Sequence, residues 1–169
     1  MPVTQFDDPE YLEAVYAALF ALVSATAFPD GIVLQSKLRV EWPPDMVPVA
    51  DQPALVQVQG PLHVEQKEVF SVPKWIFTAI LALYLRVNPA TQNSGQAPLS
   101  ITTVNRIVWA IAQQIALGST PGGTPMQYQK QTLGGLVYHT WLEGEILTEV
   151  VEEQMVITIP VNILAGTSG

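Results

Sequence analysis

The hydrophobic positions of this chain change period along its length, and the changes mark out its elements. Leu12, Val15, Tyr16, Leu19, Phe20 and Val23 recur at three and four residues, which puts them on one stripe of a helix. Asp8-Pro9-Glu10 supplies its start: an acceptor for orphan amides, a ring with helical φ, and negative charge at the positive end of the dipole. The helix is expected to end near Phe28, ahead of Pro29-Asp30-Gly31. Leu38, Val40 and Trp42 then alternate with Lys37, Arg39 and Glu41, the period of a half-buried strand, until Pro43-Pro44 stops it.

Gln52-Pro53 opens a second strand in which Ala54, Val56 and Val58 alternate with Leu55, Gln57 and Gln59. Gly60-Pro61 predicts a turn there, with Leu62 to Phe70 as the antiparallel partner. Trp75 to Val87 suits a buried helix or a strand; its aromatic content and the period-two set Trp75, Phe77, Ala79, Leu81, Leu83 and Leu85 favour strand. Ser100 caps a second helix that carries Ile101, Val104, Ile107, Val108, Ile111 and Ile115 on one face and stops at Gly118. A hairpin closes the chain, Leu133 to Leu142 against Met155 to Leu164, and Pro160 within it predicts a sheet edge or a bulge because proline donates no ladder hydrogen bond. The sum is an α+β fold, a mainly antiparallel sheet of five or six strands packed with two helices, in a single domain over residues 1–169.

Composition changes this picture at the surface. Of 169 residues 49% are hydrophobic and only 13% charged, about half the ~25% of an average soluble domain. Either a neutral skin of Gln, Thr, Ser and Asn covers the chain or part of the surface is hidden in an oligomer; charge depletion marks the buried centre of interfaces, which favours the oligomer. Seven basic against fifteen acidic residues give a net charge of -8, which excludes a protein that holds nucleic acid through its phosphates. With no cysteine there is no disulfide framework and no thiolate chemistry. The longest apolar runs fall short of the ~20 residues that span a bilayer. The opening MPVTQFDDPE lacks the basic start and apolar run of a signal peptide, so a soluble chain made in the cytoplasm is expected.

Candidate chemistry is sparse. The glycine-rich stretch Gly118 to Pro125 has no Gly-Lys-Ser/Thr, leads into a strand rather than a helix, and loses amides to its prolines, so it does not read as a phosphate cradle. It reads as an interface loop, with Gly122, Gly123 and Thr124 at its tip; the uncharged stretch Asn88 to Pro98, with Asn93, Ser94, Gly95 and Gln96, reads alike. His63 and His139 lie far apart without a ligand spacing, no Gly-x-Ser-x-Gly elbow occurs, and the four tryptophans read as core. No catalytic, cofactor-binding or metal-binding residue is assigned, and the chain is expected not to be an enzyme. Glu143, Glu145, Glu149, Glu152 and Glu153, with no basic residue among them, are the sharpest charge asymmetry in the chain. They suit a solvated hairpin end, a surface that repels nucleic acid, or a dock for a basic partner.

The stretch Gln131-Thr132-Leu133-Gly134-Gly135-Leu136-Val137-Tyr138-His139-Thr140-Trp141-Leu142-Glu143-Gly144-Glu145, with the closing Ile157-Thr158-Ile159-Pro160-Val161-Asn162-Ile163-Leu164, resembles the tail terminator proteins of tailed bacteriophages. The resemblance runs from about Tyr11 to Leu164 and includes the apolar first helix, the Gln52-Pro53-Ala54-Leu55 strand opening and the central helix. The segment after the first helix departs from the family in carrying only Lys37 and Arg39 as basic residues. The resemblance implies a structural virion protein without cofactor or catalysis. Such a protein forms a hexameric ring on the head-proximal end of the tail tube, ends tube polymerisation and joins the neck. Its implied partners are further copies of itself, the tail tube protein and a neck or head-tail connector protein. Genomic DNA would pass without specific binding and no membrane is involved. In such a ring the five glutamates would face the lumen or a partner. Two alternatives remain: a neck or connector protein, or, in a different class, a small-molecule-binding or hydrolytic α+β domain.

Overall fold

The computed structural model describes residues 8–28, 31–66, 68–69, 74–86, 99–116, 131–151 and 154–165. Helix α1 spans Tyr11–Ser24 and helix α2 Ile101–Ala116; the strands are β1 Ser36–Val40, β2 Ala54–Glu65, β3 Lys74–Arg86, β4 Val137–Leu142, β5 Leu147–Val151 and β6 Gln154–Ala165. The sheet order is β1-β2-β3-β6-β4, and β5 also pairs with β6. Every pairing is antiparallel except β1 with β2. The α+β architecture with two helices and a mainly antiparallel sheet is the one expected from the sequence.

Local chemistry accounts for the helix ends. The Asp8 carboxylate accepts from the Glu10 amide at 2.9 Å and the Asp8 carbonyl from Tyr11 N at 3.1 Å, which sets up the first turn of α1. The helix stops at Ser24, earlier than the expected Phe28, because Thr26 N turns back onto the Val23 carbonyl at 3.1 Å and tightens the last turn. Ser100 caps α2 as expected, accepting from Thr103 N at 3.2 Å. Val104, Ile107, Ile111 and Ile115 bury one face of α2.

Alternation along β3 and β6 fixes which residues the helices cover. Phe77, Ala79, Leu81, Leu83 and Leu85 from β3, with Ile157, Ile159, Val161, Ile163 and Ala165 from β6, lie on one face and are buried against Val15, Tyr16, Leu19 and Val23 of α1 and the buried stripe of α2. The strand reading of this segment is the correct one. Tyr16 Oη donates to the Thr78 carbonyl at 3.0 Å and Tyr11 Oη to the Leu136 carbonyl at 2.6 Å, so both rings bury their apolar bodies with the hydroxyls satisfied.

The opposite face is covered differently. Adjacent parallel strands need a crossover, and here residues 41–53 provide it across the second face, with a 3-10 turn at Val49–Asp51. Val47 sits in a small second core with Ala54, Val56, Val58, Ala82 and Tyr84. Two buried glutamines hold the crossover down. Gln154 Oε1 accepts from Val47 N at 2.9 Å and from Gln52 Nε2 at 3.1 Å, while Gln52 Nε2 also donates to the Val47 carbonyl at 2.8 Å. Gln154 Nε2 donates to the Asp45 carbonyl at 3.2 Å and Tyr84 Oη to the Pro44 carbonyl at 2.6 Å.

Four expectations are corrected. Gly60-Pro61 is no turn: β2 runs through it, and the register slips between Gln59 and Leu62. The pair marks a bulge, where Pro61 has no amide to offer and Thr78 Oγ1 donates to its carbonyl at 2.6 Å. The acidic stretch after β4 is no simple loop either, because Leu147–Val151 forms β5 along the same edge of β6 that β4 occupies further on. Pro160 is therefore neither on an edge strand nor at a bulge of its own. It faces Ile80 of β3 on one side, and on the other it lies in the interval between the Leu142–Val161 and Leu147–Thr158 pairs, where no ladder bond is required of it. Leu38 is exposed rather than half-buried and Trp42 is 82% exposed, since β1 is an edge strand that ends at Val40. It is Lys37 and Arg39 that face α1, Lys37 Nζ donating to the Ser24 carbonyl at 3.0 Å and Arg39 pairing both Glu13 oxygens at 2.6 and 3.0 Å.

Three outcomes test these assignments. Gln154→Leu strips the buried Val47 amide of its acceptor and Gln52 Nε2 of one of its two, and is expected to cost about 2–3 kcal/mol in denaturant unfolding, with faster proteolysis within residues 43–53. A β-carbon at Gly60 would meet the Thr78 hydroxyl; Gly60→Ala is expected to cost about 1–3 kcal/mol, part of it recovered in the double variant with Thr78→Ala. Burial pushes the Tyr11 and Tyr16 hydroxyls up to about 12. Their folded values lie above the ordinary one of about 10, so the stability they confer is whole below pH ~10 and is lost as pH rises through about 12. Burial, with the nearby Asp45 charge, pushes the Tyr84 hydroxyl up as well, so phenolate absorbance should show at least three late-titrating tyrosines, the ionisation of Tyr11 and Tyr16 coinciding with unfolding.

Candidate functional site

Register places cross-strand neighbours on a common face, so the second face of the sheet can be read row by row. Leu38, Val56, Ala82, Thr158 and Leu147 form one row across five strands, and Val40, Val58, Ile80 and Pro160 the next. Beyond these come Thr78, Asn162 and Trp141, then His63, Ile76, Leu164 and His139. The crossover buries Val56, Val58, Ala82 and Tyr84. Ile80 is 40% exposed, and Ile76, Pro160, Asn162 and Leu164 are only partly buried. This remainder is an open, mostly uncharged face with apolar side chains. The four residues after β4 bend over one end of it, where a β-carbon on Gly144 would come within 3.1 Å of Pro160 Cγ.

The last row explains why the two histidines make no joint site. His63 and His139 share a row, but Ile76 and Leu164 stand between them. Three strand spacings separate them by roughly 14 Å. His139 instead stacks on Trp141, with ring centroids 5.6 Å apart. No group of three His, Cys, Asp or Glu side chains among the described residues is placed to hold a metal ion.

Glu143 and Glu145 just before β5 and Glu149 within it are all exposed. Trp141 Nε1 donates to Glu143 Oε2 at 3.0 Å. Glu149 lies opposite Val156 within the β5–β6 ladder. Glu152 and Glu153 lie outside the described residues, as do Asn93, Ser94, Gly95, Gln96, Gly122, Gly123 and Thr124. The strand β5 itself carries apolar side chains into solvent on both faces: Leu147 is 56% exposed and Val150 68%. Sequence reasoning treated this stretch as a loop tip because its charges hide the alternation of Leu147, Glu149 and Val151 with Thr148 and Val150.

Hollows lie elsewhere in the fold. An open groove of about 620 Å³ runs between the end of α1 and the outer side of α2, lined by Phe28, Thr102, Asn105, Arg106, Trp109 and Gln113 among others. Among the described residues, those lining it include no histidine and no carboxylate. Trp109 is 65% exposed there, contrary to the reading of all four tryptophans as core: it is two positions from both Ile107 and Ile111, which puts it on the other side of the helix. A second hollow of about 480 Å³ is lined by Arg39, Val40, Glu41, Gln57 and Gln59. Gln57 is buried at its floor and donates to the Tyr16 carbonyl at 2.9 Å. No helix among the described residues is long and apolar enough to cross a membrane.

No family model matches the chain, and no curated protein matches its sequence. Among solved structures, it is similar at a distance to a chain of the virion of a native gene transfer agent particle. That match covers 95% of this chain and 90% of the other, at 13% identity and a TM-score of 0.39.

Proposed function

We propose that this chain is a structural subunit of a phage-type tail. In this reading it is a terminator: copies of it form a ring on the head-proximal end of the tail tube, end tube growth and offer the surface that the neck joins. It works by protein–protein contact and carries out no catalysis. The observation that carries the reading is the open sheet face around Ile76, Ile80, Pro160 and Leu164, in a chain with half the usual charge. Such a face is an interface waiting for its cover, since contiguous apolar surface on a soluble chain marks association. The two sequence stretches that resemble tail terminators support it further, because they meet as neighbours: Val137–Leu142 pairs directly with the end of β6. A ring needs two different patches, each meeting the other on the next subunit, and the open face and the outer side of α2 lie on opposite sides of the sheet.

The groove beside Trp109 and Arg106 favours the other class, a ligand-binding domain. Ile80→Glu separates the two. The side chain is partly in solvent, so the variant should fold with little change in melting temperature, yet fail to add to tails and lower the infectious titre by orders of magnitude. A map of the particle should place the protein at the tube's head-proximal end with sixfold symmetry. Normal particles with Ile80→Glu, or a symmetry that is not a multiple of six, would contradict the reading.

A further inference from the structure

We propose that the free edge of β5 is a strand-addition site for an extended segment of another protein, one that alternates basic and apolar side chains. The edge is unusual in what it leaves uncovered. β5 pairs with β6 on one side alone, and its Leu147 and Val150 side chains project on opposite faces with nothing outside them among the described residues. An exposed strand edge offers a row of unpaired amides and carbonyls, and proteins that must not pair there blunt it with lysine, proline or a bulge. None of these occurs within Leu147–Val151. A strand added along this edge would cover Leu147 on one face and Val150 on the other, and main-chain bonds would supply affinity with little demand on sequence.

Charge decides the occupant. Glu149 lies on this strand and the exposed Glu143 and Glu145 come just before it, so the incoming strand gains from basic side chains. A second copy of the same edge would bring Glu149 up against its own counterpart, and like charges across a strand pair are unfavourable. The far edge of the sheet, β1, cannot supply the complement either. Its Lys37 and Arg39 are turned to α1 and engaged with the Ser24 carbonyl and Glu13, and Glu13 neutralises Arg39. A chain with seven basic residues against fifteen acidic ones does not complement this edge by itself. The partner is therefore a different, basic chain. This assignment stands on the geometry of β5 and is independent of the tail-ring reading.

The test uses the whole protein and a short synthetic peptide alternating lysine and valine, followed by amide-resolved NMR. Shifts confined to residues 145–151 are expected, with amides of β5 becoming protected from exchange and binding weakening as salt rises. The same peptide N-methylated at alternate amides, which cannot form a ladder, should not bind. Glu145→Lys with Glu149→Lys should lower affinity for the lysine peptide by about tenfold and confer binding of a glutamate–valine peptide. The proposal is overturned by no binding at ~1 mM, by binding that survives N-methylation, by shifts on the open sheet face or the α2 groove, or by self-association through β5.

Discussion

Two helices can cover one face of a six-stranded sheet and no more, and the rest of this structure follows from that limit. Odd-numbered positions of β3 and β6 lie under α1 and α2 and form an unbroken apolar core. Even-numbered positions face the other way, and among the described residues they are sheltered by the crossover from β1 to β2 and, at one end, by the turn after β4. That crossover is irregular backbone, which can lie on a sheet only if its polar groups find partners. Gln52 and Gln154 provide them, and they are buried for that purpose. Where the crossover stops, the apolar face continues uncovered through Ile80, Ile76 and Leu164.

The parts of this architecture legible in the sequence are those set by local periodicity. The stripes of α1 and α2, the strand identity of residues 74–86 and the pairing of β4 with β6 follow from spacing and side-chain type. What failed depends on partners distant in sequence. Gly60-Pro61 looks the same in a turn and in a bulge; the difference lies in Thr78, whose hydroxyl meets the Pro61 carbonyl and leaves no room for a β-carbon at position 60. Leu38 and Val40 alternate as a half-buried strand should, but whether an apolar side is covered depends on which element crosses it. Pro160 was read against the rule that proline avoids paired strands. The rule holds residue by residue: β6 is central, yet the neighbouring ladder is interrupted where the proline sits.

The candidate site was less legible than the fold, for a physical reason. An assembly surface has no chemical signature of its own; it consists of ordinary apolar side chains that the chain leaves uncovered. The charge deficit gives only the expectation of a hidden surface, and the register of six strands is needed to see which apolar side chains stay exposed. The acidic run was visible as a charge pattern, but its meaning changes once Leu147–Val151 is a strand: Glu143, Glu145 and Glu149 then border a free edge with apolar side chains rather than decorate a loop.

The central claim is that the open sheet face is an interface in the assembled particle. Side-chain footprinting by hydroxyl radicals, on free protein and on purified particles that contain it, measures this at Ile76, Ile80 and Leu164 directly. All three are expected to be labelled in the free chain and strongly protected in the particle, with Val56 and Ala82 beneath the crossover unlabelled in both. Equal labelling of Ile80 in the two states would contradict it.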